Sequence, residues 1–229
     1  MANYAYNSIT FVVPAEEKDI IDLEFLATNI NYLFCKRTQV NDITQAISEA
    51  YEKPIYNFDR RDNFCWIDDD GISYNEDYNE YTFDISIESA WSPVIDRITE
   101  WIQSIYPNIS VLGVCEEPGF EIYINTDTEG KYYQTRYRLW LNVEDGDIKD
   151  YYCDSIEELV DYLSLFIDFD EEPKDLSEVQ AKVNEYNESD KKISGIESAE
   201  IYEFDSEDDC TFAEMDQFIQ IGRASCRER

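Results

Sequence analysis

The stretch TFDISIESAWSPVIDRITEWIQSIYPNIS, from Thr82 to Ser110, decides the fold. Its first part alternates apolar and polar residues, which predicts a half-buried strand. The apolar members of that strand are Phe83, Ile85 and Ile87. Its second part carries apolar residues at helical spacing and stops at Pro107, which predicts an amphipathic helix. The stretch therefore predicts a strand that turns sharply into a helix.

The corner between the two elements has its own signals. Ser92 is predicted to cap the helix, and Pro93 to take its first position, where a missing N–H costs nothing. Trp91 is expected to fill the core beneath the corner. The other predicted core residues of the helix are Val94, Ile95, Ile98, Trp101, Ile102 and Ile105.

The segments on either side complete a recurring pattern. A strand is predicted over 7–13 and ends at Pro14. Helices are predicted over 15–34 and 41–51, and a further strand over 109–115. Together with the corner, the order is strand, helix, optional strand, strand, helix, strand. This order predicts an α+β protein with a ferredoxin-like split βαβ sandwich.

The part of the chain after Gly119 predicts a second set of elements. Three antiparallel strands are expected over 120–126, 131–143 and 148–153, joined by turns at DTEG and EDGD. A helix follows, for which Ser155 and Glu158 form a predicted capping box. After the linker 168–175, the pattern predicts a helix near 176–186, a strand near 199–204 and a last helix near 211–219.

The segments NSITF (7–11), AWSPVIDRITEWIQSIYPNI (90–109) and EEPGFEI (116–122) occur in this order. Together they resemble the YubB-type ferredoxin-like domain family of plasmid and phage proteins over roughly residues 1–140. The name refers to the fold and not to an iron–sulfur cluster. The resemblance implies an origin in a mobile genetic element, and it implies no catalytic residues.

Three regions are expected from these patterns. Residues 1–145 are predicted to form the ferredoxin-like domain, and 146–220 an acidic C-terminal α/β extension. The last nine residues, IGRASCRER, read like a translated sequencing adapter, so 221–229 are interpreted as a non-native tail. Without this tail, the net charge changes from −34 to −36.

The composition argues against most kinds of catalysis. The chain contains no His, which excludes Ser-His and Cys-His nucleophiles and ordinary zinc sites. Neither a GxxxxGK nor a GxGxxG phosphate loop occurs among its seven Gly. The nearest match to a calcium loop starts with Asn125 and ends with Arg136, where a Glu is needed. We therefore expect a protein that is not an enzyme and needs no cofactor or metal. A hydrolase that holds a divalent cation with Asp and Glu alone is the competing interpretation.

The cellular setting is predicted from absences in the sequence. The six Cys have long, irregular gaps, which favours reduced thiols over a disulfide framework. No secretory signal and no run of eighteen apolar residues is seen. We therefore expect a cytoplasmic protein of a bacterial host cell, with no membrane partner. Direct binding to nucleic acid is not expected, because acids outnumber the cations around Arg60, Arg61, Arg136 and Arg138.

The most informative property is the charge. Residues 1–140 carry a net charge of −15 and residues 141–220 one of −21. Charge of this density can imitate a short segment of nucleic acid and attract a protein built to bind phosphates. The alternatives are acidity that serves solubility only, with an interaction module elsewhere on the surface, and adaptation to a salty cytoplasm. The many Ile, Asn and Tyr residues argue against the last of these.

The resemblance to a mobile-element family favours imitation of nucleic acid over the two alternatives. It predicts an anti-defence inhibitor that acts by nucleic-acid mimicry against a bacterial restriction or CRISPR nuclease. Tyr74, Tyr78 and Tyr81 are predicted to stack against Arg side chains of such a partner. The predicted contact acids are Asp68, Asp69, Asp70, Glu76, Asp77, Glu80, Asp168, Asp170, Glu171, Glu172, Asp205, Glu207, Asp208 and Asp209.

Overall fold

The computed structural model of the chain describes residues 4–18, 64–67, 72–90, 93–119, 121–144, 146–169, 171, 173–189 and 195–206. The side chains of residues 64–67, 90, 97 and 101 lie outside this description. Residues 19–34 of the helix predicted over 15–34 also fall outside it, as do the predicted helices over 41–51 and 211–219, Trp91, Ser92 and the side chain of Trp101. The described chain divides into two compact units, and the division falls between Asp127 and Thr128.

The first unit is built on a six-stranded antiparallel sheet. Its strands are β1 (Tyr4–Pro14), β2 (Phe64–Ile67), β3 (Ser73–Asn75), β4 (Glu80–Ala90), β5 (Ser110–Glu117) and β6 (Ile122–Asn125). They lie in the order β2-β4-β1-β5-β6, and β3 also pairs with β4. The predicted strands over 83–88 and 109–115 therefore share one sheet, with β1 between them. The prediction of an α+β protein is confirmed.

One face of this sheet forms the core with helix α1 (Ile95–Ile105). Strands β1 and β4 pair in register so that Phe11 lies opposite Phe83, and the two rings stack with centroids 4.5 Å apart. The helix contributes Ile95, Ile98 and Ile102, which are all buried, as the helical spacing predicts. Helix and sheet therefore share one apolar layer.

Gly113 on β5 shows how closely the helix approaches the sheet. A Cβ atom at this position would lie 2.8 Å from the Ser8 carbonyl oxygen and 3.1 Å from Cδ1 of Ile95. Real Cβ atoms essentially never show the 2.8 Å distance, and 3.1 Å is tighter than most real contacts, so a side chain here would force β1, Ile95 or both to shift.

The strand-to-helix corner differs from the prediction. Helix α1 begins at Ile95, with Val94 in the N-cap position, so Pro93 precedes the helix. No side chain at the cap position bonds to the helix. Instead the Val94 N–H donates to Oδ1 of Asn7 on β1, at 3.0 Å. Asn7 is 2% exposed, and its amide nitrogen also donates to the Ile87 carbonyl and the Ser89 hydroxyl of β4. A buried amide from another strand therefore supports the corner.

The second unit contains a three-stranded antiparallel sheet and two helices. Its elements are β7 (Tyr137–Val143), β8 (Ile148–Cys153), α2 (Ile156–Leu163), α3 (Leu176–Glu188) and β9 (Ile196–Glu203). The strand order is β8-β7-β9. Leu139 and Leu141 of β7 pack in one buried cluster with Leu159 and Leu163 of α2 and with Val179 of α3.

The predicted meander of three strands is only half right. The segments that became β7 and β8 do form a hairpin. The preceding strand, β6, pairs instead with β5 in the first sheet, where Ile124 lies opposite Cys115. The reason is packing, because Ile124 joins the core under α1 through this pairing.

Both helices of the second unit begin with the same N-terminal capping arrangement. The Ser155 hydroxyl accepts the Glu158 N–H at 3.2 Å, and a Glu158 carboxylate oxygen accepts the Asp154 N–H at 2.8 Å. Asp175 and Glu178 repeat this arrangement at the start of α3. The first box was predicted from the sequence and is confirmed. The carboxylate reaches the residue before the cap instead of the cap itself.

The two caps should respond differently to pH. Hydrogen bonds from the Ser177 hydroxyl and the Glu178 N–H lower the pKa of the Asp175 carboxyl. The charge of Asp175 therefore stabilises the fold above the unfolded pKa of about 3.9, and this stabilisation is lost as the pH falls through the folded pKa. We expect the destabilising effect of Asp175→Ala to be smaller at a pH below the unfolded pKa of about 3.9 than at neutral pH, whereas Ser155→Ala should cost about 1 kcal/mol at both pH values. Urea unfolding at the two pH values tests this difference, and an equal pH response of both variants would contradict it.

Candidate partner-binding site

The predicted contact acids fall into three groups in the structure. Asp68, Asp69, Asp70, Asp170, Glu172, Glu207, Asp208 and Asp209 lie outside the described residues. Glu76, Asp77 and Glu80 lie on the β3–β4 hairpin of the first unit. Asp168, Glu171 and Asp205 belong to the second unit and are exposed.

The acids of the β3–β4 hairpin lie in a turn that side-chain hydrogen bonds stabilise. Its four turn residues run from Glu76 to Asn79, and Glu76 and Asp77 are exposed. The Asp77 N–H donates to Oδ1 of Asn75 at 3.1 Å, and the Tyr74 hydroxyl donates to Oδ1 of Asn79 at 2.7 Å. Asn79 has a φ of 54°, a left-handed conformation that Asn tolerates better than most residues. The turn therefore has one defined conformation before any partner arrives.

The antiparallel pairing brings further acids to this end of the sheet. A short 3₁₀ turn, Ala15–Glu17, follows β1, and the Ala15 N–H donates to the Asn79 carbonyl oxygen at 3.1 Å. Glu16 and Glu17 thus lie next to the hairpin, although they are distant from it in sequence. We call this region the acidic end, and it comprises Glu16, Glu17, Glu76, Asp77 and Glu80.

Helix α1 ends at the same place. Val12 of β1 lies opposite Ser110 at the start of β5, so the connection from α1 into β5 reaches the acidic end. Nδ2 of Asn108 in this connection donates to a Glu17 carboxylate oxygen at 2.7 Å. The C-terminal end of a helix carries a partial negative charge, and the last turn of α1 contains no basic residue to offset it. The helix therefore adds to the negative potential of the acids.

Aromatic side chains lie among these acids. Tyr74 and Tyr78 are 46% and 52% exposed, so a partner can reach both rings. Tyr74 lies opposite Tyr81 across the hairpin, and the ring centroids are 4.8 Å apart. The ammonium group of Lys18 lies 4.2 Å from the centroid of the Tyr81 ring. The acidic end therefore combines negative charge with accessible aromatic area.

The acids of the second unit are arranged differently. Asp168 and Glu171 lie on the connection between α2 and α3, whereas Asp205 follows β9. A shallow pocket of about 320 Å³, lined by residues 164–169, adjoins Asp168, and the neighbouring Leu165 is 76% exposed. The predicted acids of this unit thus occupy two separate connections instead of one surface turn.

The sequence did not lead us to predict a cluster on the second sheet in which Arg138 contacts one acid and two aromatic rings. Arg138 binds Asp150 with two hydrogen bonds, from Nε at 2.9 Å and from Nη2 at 2.6 Å. Its guanidinium carbon lies 4.9 Å from the Trp140 ring centroid and 5.3 Å from that of Tyr152. The signal was available, because Arg-x-Trp and Asp-x-Tyr flank the same hairpin turn. Arg138 is 7% exposed, so its charge is used inside the protein.

The described part of the chain shows little that suggests chemistry. Within it, no group of three or more Cys, Asp and Glu residues is placed to hold a metal ion. Cys115 and Cys153 are buried thiols. Burial, followed by the charges of Glu158 and Asp154, raises the pKa of Cys153 to about 12, so this thiol stays protonated at neutral pH. Among the described helices, none has the length and apolarity needed to cross a membrane.

Comparison with known protein families, curated proteins and solved structures finds no match to this chain. The resemblance to the YubB-type family therefore stays an expectation.

Proposed function

We propose that the protein is a non-enzymatic inhibitor that binds a basic, nucleic-acid-binding protein in place of its nucleic acid. The single observation that carries this proposal is the acidic end, where five carboxylates, a helix C-terminus and two exposed tyrosines meet. The proposed partner is a bacterial defence nuclease of the restriction or CRISPR class. Such a protein exposes Lys and Arg in a groove shaped for phosphates.

The electrostatics of the acidic end suit this role. Glu16, Glu76 and Asp77 are exposed, so their carboxylates keep most of their hydration in the free protein and cost little stability until a partner binds. Opposite charges on two surfaces accelerate association and set the orientation of the encounter. The whole chain carries 52 acidic and 18 basic residues, so the long-range field has the same sign as the local one.

The conformation of the hairpin also supports the proposal. The bonds of Asn75 and Asn79 fix the turn before binding, so little conformational entropy is lost when a partner docks. Tyr74 and Tyr78 offer rigid contact area of the type enriched at interface hot spots. A nucleic acid presents phosphates and flat bases together, and the hairpin presents carboxylates and flat rings together.

We further propose that the first unit has the ferredoxin-like fold, as in the family that the sequence resembles, and an origin in a mobile element. The support is the strand order β2-β4-β1-β5 with all pairings antiparallel, which is the order of a split βαβ sandwich. In this assignment, β6 is an added edge strand. The acidic α/β extension was predicted over 146–220, and the second unit, residues 128–206 with 22 acidic and 8 basic residues, contains most of that range.

Charge reversal at the hairpin tests the function. Glu76→Lys with Asp77→Lys should weaken binding to a partner captured from a bacterial lysate by about tenfold or more, since two favourable charge interactions become repulsive. The matched control is Glu185→Lys with Glu188→Lys, which changes the net charge equally. These residues lie in the last turn of α3, where a Lys side chain interacts favourably with the helix dipole, so the control should not destabilise the helix.

The same complex should respond to salt and to nucleic acid. Affinity should fall as salt rises, because salt screens the ion pairs, and added DNA or RNA should displace the protein. A complex that is insensitive to salt and is not displaced by nucleic acid would reject mimicry. It would leave the alternative of an interaction module whose acidity serves solubility only.

A further inference from the structure

The acidic end already holds a cation of its own. The Lys18 ammonium lies 4.2 Å from the Tyr81 ring centroid and 3.2 Å from the Tyr81 hydroxyl oxygen. Lys18 follows the 3₁₀ turn that is bonded to the hairpin through Ala15. An ammonium group at this distance from an aromatic ring is a cation–π contact. Within the described residues, the protein therefore shows which kind of ligand the aromatic part of the site accepts.

The Tyr81 ring is part of a larger aromatic surface. The Tyr74 ring lies 4.8 Å away, tilted by 42°, and it is 46% exposed. Its hydroxyl is bonded to Asn79, which holds the ring in place. The two rings thus form a fixed pair, one in contact with an internal cation and the other open to solvent.

We propose that the Tyr74–Tyr81 pair is a binding subsite for an arginine side chain of the partner, and that Lys18 occupies this subsite in the free protein. The inference rests on the proposed function, since it assumes a basic partner at the acidic end. A guanidinium is planar and more weakly hydrated than an ammonium, so it stacks on aromatic rings at a lower desolvation cost than Lys18. The Lys18 side chain is exposed, and so is its hydrogen bond to the Tyr81 hydroxyl, so an arginine of the partner can reach and compete for the same ring.

Lys18 therefore acts as an internal competitor. It keeps the subsite filled and lowers the local negative charge until a side chain that stacks better arrives. Removing its charge should tighten the binding of an arginine ligand, and the gain should depend on the ring beneath it. A general effect of net charge would not depend on that ring, which separates the two explanations.

The experiment uses a peptide of six arginines and isothermal titration of the full chain at low salt. Lys18→Met should tighten binding about two- to fivefold, the range expected for one exposed cation–π contact. Lys174→Met, an exposed lysine of the second unit, is the control for loss of one positive charge. In a Tyr81→Leu background, Lys18→Met should increase the affinity for the peptide no more than Lys174→Met does in the unmodified chain. Tyr81→Phe keeps the ring and removes only the hydrogen bond from Lys18 to the hydroxyl, so Lys18→Met should still give a gain above that of the control.

A second readout keeps the test independent of folding effects. The arginine side-chain protons of the peptide should shift upfield in the NMR spectrum when they lie over the rings, and Tyr74→Leu should reduce this shift. Tyr74 is half exposed, so its replacement is not expected to unfold the hairpin. Thermal unfolding of each variant confirms that the fold is intact.

The outcomes separate this inference from the proposed function. An equal gain from Lys18→Met with and without the Tyr81 ring, or no gain at all, overturns the subsite but leaves salt-dependent peptide binding and the proposed function standing. A peptide that fails to bind the unmodified chain at low salt overturns both. A ring-dependent gain together with the upfield shift supports the subsite.

Discussion

Replacing Phe83 by Ala is expected to lower the free energy of unfolding of the first unit by about 3–5 kcal/mol. Phe83 is 1% exposed and stacks on Phe11 with an angle of 9° between the rings. The substitution removes a full ring from the layer between β1, β4 and α1, and the neighbours cannot close the space. The lost ring–ring contact adds to the loss of apolar burial.

Urea unfolding, followed by hydrogen exchange of the β1 and β4 amides, measures this effect in the first unit alone. Phe83→Leu is the matched control, because it keeps most of the volume and should cost less than half as much. A loss below about 1 kcal/mol for Phe83→Ala would mean that the ring is not part of the core.

The periodic elements of the first unit could be predicted because periodicity is a local property. Alternation places Phe83, Ile85 and Ile87 on one face whatever the strand pairs with, and all three are buried. The same holds for the stripe of Ile95, Ile98 and Ile102 on α1. Local patterns report which face is buried, and so the α+β class followed from them.

Strand partners could not be predicted, because pairing is decided by contacts far apart in sequence. The segment 122–125 was expected to pair with the strand after it, across the turn DTEG. It pairs instead with β5, because this register places Ile124 in the core and leaves β7 to form the second sheet. Turn signals indicate where a strand ends, but they do not specify its neighbour.

The residues of the candidate site also differ in whether a local pattern or the pairing of distant strands brings them together. Glu76, Asp77 and Glu80 were predicted as contact acids because they lie in one short acidic loop. Glu16 and Glu17 were missed, since only the pairing of β1 with β4 brings them to the hairpin. Lys18 was missed for the same reason, because only the fold brings its ammonium group to the Tyr81 ring.

Asn7→Leu is expected to lower the free energy of unfolding by about 2–4 kcal/mol, although Leu has the same number of side-chain heavy atoms with the same branching and is more apolar. Asn7 is buried, its Oδ1 accepts the Val94 N–H, and its amide nitrogen donates to β4. Leu can replace none of these bonds. The Val94 N–H would then be buried without a partner at the start of α1, where no preceding helical carbonyl can accept it.

Ser8, the exposed residue that follows Asn7 on β1, provides the control. Ser8→Ala should change the stability by less than about 0.5 kcal/mol, because this side chain points away from the core. Hydrogen exchange gives a more specific readout than global stability. In Asn7→Leu the Val94 amide should exchange faster than the rest of the first unit, whereas Phe83→Ala should speed exchange throughout that unit.

The result bears on how the chain turns from strand to helix. The sequence suggested that Ser92 and Pro93 make the corner locally, yet α1 begins after them and its first bond runs to a different strand. If Asn7→Leu were as stable as the unmodified protein, the corner would be held by apolar packing alone. A large loss confined first to α1 would show that one buried amide fixes the helix to both β1 and β4.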